Sequence, residues 1–73
     1  MIRELDRVVL TKDYPEEGLK AGDVGTVVHV YRDGAAYEVE FLTLSGETLT
    51  VLTVPAEAAR PVGEREITHA RSL

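Results

Sequence analysis

Few side chains in this 73-residue chain have the type and spacing that chemistry needs. His29 and His69 are its only histidines, and so its only side chains that ordinarily titrate near neutral pH and could act as a general base. Nucleophilic catalysis needs a hydroxyl or thiol beside such a base, with a third group to hold the base in place. His29 stands among valines and His69 stands near the C-terminus, so both read as ordinary strand and tail residues. Glu38 and Glu40 could form a paired-carboxylate site. They alternate with Tyr37, Val39 and Phe41, however, which marks them as the wet face of a strand. Asp13, Glu16 and Glu17 offer hard oxygen ligands, but Pro15 interrupts them and the spacing matches no calcium-binding loop. There is no cysteine, which excludes thiol catalysis, thiolate zinc sites and disulfide staples. The expectation is a non-enzymatic chain with no catalytic residue, no metal and no cofactor.

Whatever these residues do, a small fold must position them. The length allows one domain, and a domain of this size buries only about 60% of its unfolded surface. A hydrophobic content of 44% is enough for a packed core. The formal net charge of -5 favours basic partners and opposes non-specific attraction to nucleic acid or anionic lipid. Charged residues begin at Arg3, and no run of about 18 apolar residues occurs. Neither secretion nor membrane spanning is expected, and a cytoplasmic location is.

Residues 7–11 (RVVLT) predict a first strand with Val8 and Leu10 in the core. Residues 12–20 break the pattern. Pro15 and Gly18 make a long acidic loop, and Leu19, its one aliphatic side chain, is expected to pin it to the core. Gly22 and Asp23 then turn into a long strand over residues 24–31. Strict alternation there puts Val24, Val28 and Val30 on one face and Val27 on the other. Gly25 marks a bend or a close approach. Asp33-Gly34 predicts a hairpin. Strands follow at residues 36–42, with Tyr37, Val39 and Phe41 inward, and at residues 48–54. Pro55 opens one helical turn, and residues 60–62 form a short last strand. The domain is thus residues 1–62. Residues 63–73 have no period and are expected to be mobile or to order on a partner.

Five short strands, one long loop and one helical turn before the last strand predict an all-β fold, a small five-stranded SH3-like barrel with a C-terminal tail. The run from Gly22 through Asp23, Val24, Gly25, Thr26, Val27, Val28 and His29 to Val30 resembles the strand-turn signature of SH3-like barrels, KOW modules among them. More of the chain resembles a family of short bacterial proteins, the domain of unknown function numbered 4926. The likeness runs through Pro15-Glu16-Glu17-Gly18-Leu19, the Gly22 segment, Tyr37-Glu38-Val39-Glu40-Phe41 and Ala59-Arg60-Pro61. It implies a small partner protein, in some cases an antitoxin or immunity component.

Protein binding, or self-association, is the expected function. The acidic loop can face a basic partner, possible toxin included, and a small open barrel leaves edges to which a strand can add. The candidate contact residues are Asp13, Tyr14, Glu16, Glu17, Tyr31 and Leu42, with Val9, Leu44 and Leu52 as further outward aliphatics. A KOW-like module that contacts RNA or the transcription or translation machinery is the alternative. Against it, the eight basic residues are scattered among thirteen acidic ones, and single-strand binding needs stacking aromatics in a basic groove. A polyproline groove would have to rest on Tyr14 and Tyr31 without any tryptophan.

Overall fold

A computed structural model describes residues 1–73. It contains strands β1 (Arg7–Leu10), β2 (Val24–Tyr31), β3 (Ala36–Leu42), β4 (Thr48–Pro55) and β5 (Ala59–Pro61). Two 3-10 turns, Pro15–Glu17 and Ala56–Ala58, are the only helical pieces. All pairings are antiparallel, in one sheet of spatial order β4-β3-β2-β1-β5. The chain is all-β, with the expected turn before its last strand. No helix is long and apolar enough to cross a membrane.

The expected barrel does not close. No ladder joins β4 to β5, so the sheet is open and these two strands are its edges. The three residues of β5 pair with β1 instead, Leu10 opposite Ala59 and Val8 opposite Pro61. Pro61 has no N–H to donate to any further partner. A lone sheet flanked by two three-residue turns has no second layer to pack on, so it curves over its own apolar face. That face gathers Val8 and Leu10 of β1, Val27 of β2, Tyr37, Val39 and Phe41 of β3, Val54 of β4 and Ala58 of the second turn. Leu19 comes down from the 12–20 loop to complete it, only 3% exposed.

The inward alternation of β3 and the burial of Val8 and Leu10 follow the sequence pattern. Strand β2 does not. Its pairing with β3 slips between Val27 and His29, a β-bulge that places one extra residue at Val28. The bulge reverses the phase of the alternation. Val27 is fully buried and Val30 packs against the same core, while Val24 and Val28 are exposed. Strict alternation therefore separated Val24 and Val28 from Val27 correctly but put Val30 on the wrong face. Val9 is corrected as well: it is only 5% exposed and cannot serve as an outward contact. Residues 12–20 also contain a 3-10 turn that the loop reading did not include. Pro15 supplies its pre-set φ, and Gly18 closes it at φ 72, donating its N–H to the Pro15 carbonyl.

Candidate functional site

The 12–20 loop is built from its two ends inward. Tyr14 and Leu19 exchange backbone hydrogen bonds, N–H to O, at 2.9 and 3.0 Å, which closes the loop into a small bridge. Asp13 Oδ1 accepts the Ala21 N–H at 2.9 Å and ties the loop base to the following turn. Tyr14 is half-buried against the core, with its hydroxyl buried and unpaired. The Lys12 ammonium stands 5.4 Å from the centre of its ring, within cation–π range. Glu16 is exposed at the tip. Glu17 reaches across the sheet, and its Oε1 accepts the Thr50 hydroxyl at 3.2 Å.

The fold thus brings four of the six candidate residues together. Asp13, Tyr14, Glu16 and Glu17 line one cleft with Lys12, Pro15 and Leu52 of β4. It does not bring the other two there. Tyr31 lies at the end of β2, its ring edge-on to His29 at 4.5 Å and its hydroxyl 3.5 Å from Glu38. Leu42 is 48% exposed at the end of β3 and lines a different groove with Leu44, Leu49 and residues of the tail.

The carboxylates of β3 are tethered by hydroxyls. Glu38 accepts from Thr53 and Glu40 accepts from Thr48 at 2.8 Å, as neighbours on a polar strand face do. His29 has Glu4 at 3.8 Å and both are exposed. No three metal-ligating side chains converge.

Sequence reading missed a second constellation. The Arg71 guanidinium donates from Nε to Asp23 Oδ1 at 2.9 Å, from Nη2 to the other Asp23 oxygen, and from Nη2 to the Gly18 carbonyl at 2.9 Å. Asp23 also accepts the Lys20 N–H at 2.8 Å. The hydrogen bond from Arg71 is the main reason that its carboxyl lies below the ordinary value; partial burial opposes this, and the Lys20 N–H adds to it. Arg60 holds Glu66 in the same bidentate way, at 2.8 and 2.7 Å, and the Gly63 N–H donates to Glu66 at 2.6 Å. The Glu66 carboxyl is lowered to about 2, first by Arg60 and then by that N–H. Opposite charges 48 residues apart leave no local signal, so Arg71 looked like one more scattered basic residue.

No curated protein and no solved structure matches the chain. The family described as Domain of unknown function (DUF4926) matches residues 4–61, which takes in all five strands and the acidic loop, and the chain belongs to that family.

Proposed function

We propose that this chain is a non-enzymatic protein-binding module that engages a basic partner through its acidic loop and the adjoining edge of β4. The observation that carries the reading is the contact of Glu17 with Thr50, which joins loop and edge into one surface. Residues 48–54 (TLTVLTV) hold no charged side chain, and Leu49 and Val51 are exposed. Most solvent-facing edge strands are guarded by charge or proline, because their free N–H and C=O groups template further pairing. A partner strand added here would take its affinity from the backbone ladder and its selectivity from the carboxylates of Asp13, Glu16 and Glu17. A second copy of the chain could use the same edge. The family resemblance adds the version in which the module is a bacterial antitoxin or immunity protein acting in the cytoplasm, and its partner a toxin with a basic surface.

The KOW-like alternative has less support. Arg60 and Arg71 are already bound to carboxylates, which leaves fewer free cations to meet phosphates.

The test is affinity capture from native lysate at low and moderate salt, with the full chain and its Glu16→Lys/Glu17→Lys form. The expected result is a stoichiometric protein partner whose capture falls about ten-fold with the charge reversal. Recovery of no such protein, or capture indifferent to the reversal, overturns the reading.

A further inference from the structure

Residues 63–73 form no helix or strand, and every one of them is exposed. They are nonetheless held at two points. Glu66 is gripped by Arg60 and by the Gly63 N–H, and Arg71 grips Asp23 and the Gly18 carbonyl. Together with the body, residues 67–71 and Leu73 of the segment wall a groove of about 510 Å³. On the body side the groove is lined by Leu19, Val24, Phe41, Leu42, Leu44 and Leu49. Val24 is 46% exposed, Leu42 48% and Leu44 86% even with the segment overhead. The crossing residues do not fill the space either: Ile67 is 92% exposed and Leu73 70%.

Apolar surface left wet on both sides of a gap forgoes about 25 cal/mol for each Å² that could be covered. The segment is therefore a strap held by charge across an apolar site, and it contributes nothing to the core. The clip at Asp23 is specific in its chemistry. Two carboxylate oxygens and a carbonyl oxygen receive the planar, forked donors of one guanidinium, a geometry that an ammonium cannot reproduce.

We propose that residues 63–73 are a displaceable cis occupant of a peptide-binding groove. Its trans ligand is an extended segment of another protein that places an arginine on Asp23 and the Gly18 carbonyl, with an aliphatic residue close by for Val24, Leu42 and Leu49. The strap shows in cis how the clip at Asp23 is engaged, and its own Arg71 is the template. The inference rests on the protein-binding reading and gives that binding a second contact with an intrinsic competitor.

The probe is a synthetic peptide of residues 62–73, titrated into the wild-type chain and into its full-length Arg71→Ala form. The amide signals of Val24, Leu44 and Leu49 report the binding. A strap closed about 90% of the time reduces the apparent affinity about ten-fold, so Arg71→Ala is expected to bind the peptide about ten-fold more tightly than wild type. A peptide in which the arginine corresponding to Arg71 is replaced by alanine, with Arg65 kept, is expected to lose binding to Arg71→Ala, a comparison that does not depend on how that variant folds. Equal affinity for wild type and variant, no shift up to millimolar peptide, or undiminished binding of the alanine peptide would each overturn the proposal. None of these results touches the capture experiment, whose outcome depends on Glu16 and Glu17.

Discussion

Gly25 shows what a single residue carries here. A glycine inside a strand can mark a bend or a close neighbour, and the structure identifies the neighbours. A Cβ at this position would lie 2.5 Å from Val39 Cγ1 and 2.8 Å from Phe41 Cε1. The side chains of β3 fold over the bare Cα, so at this position the core closes because β2 has no side chain. Gly25→Ala is expected to destabilise the fold by about 1–3 kcal/mol through overpacking, measured as a lower urea midpoint. An unchanged midpoint would mean that Val39 and Phe41 move aside freely. Gly34 also departs from the sequence expectation. The positive φ values in that hairpin fall on Arg32 and Asp33 as well as on Gly34, so the turn is centred one residue earlier than the Asp-Gly pair suggested. The Gly34 N–H closes it on the Tyr31 carbonyl at 3.0 Å.

Among the elements, β4 governs the function proposed above. Its inward residues pair across β3 into the core, Val54 opposite Tyr37 and Leu52 opposite Val39. Its outward Val51 stands opposite Glu40. A lysine at that position would face a carboxylate and put a charge on the edge, a substitution that the fold tolerates and an added strand does not. Val51→Lys is expected to leave folding stability within about 0.5 kcal/mol of wild type. It is also expected to abolish partner capture and any concentration-dependent association seen by sedimentation. Association at the wild-type level would show that this edge is not used. The bulge in β2 is the element-scale counterpart of Gly25. It turns the strand by one residue, so that Val27 and Val30 both serve the core.

At the scale of the whole molecule, two regimes of stabilisation coexist. The body is held by apolar side chains from all four longer strands, the second turn and one loop, whereas the strap is held by two ion pairs. They should respond differently to pH. Glu66 titrates at about 2 in the clipped state against an ordinary 4.5, and Asp23 is shifted in the same direction from 3.8. Both carboxyls are depressed, so the clips are at full strength above the ordinary values and are lost as pH falls through the clipped ones. The amide signals of residues 63–73 are expected to move to random-coil positions between about pH 4.5 and pH 2, while those of Val39 and Val54 stay in place over the upper part of that range. A tail with coil-like signals already at neutral pH, or one that does not move on acidification, would contradict the two-clip description.

Local pattern alone determined the all-β class, the order of the five strands, the inward set Tyr37, Val39 and Phe41, and the anchoring role of Leu19. Each of these is written in residues that are neighbours along the chain, where period and turn chemistry act directly. The acidic cleft was legible for the same reason, since Asp13, Tyr14, Glu16 and Glu17 are nearly contiguous. Tertiary structure decided the rest. The sheet stays open because β5 is too short to do more than pair with β1. Val30 joins Val27 on the core face because a bulge is a property of the pairing with β3, and β2 alone does not encode it. Arg71 meets Asp23 only because the chain returns to the turn that leads into β2, and a pair that distant in sequence exists as chemistry only once the fold has brought it together.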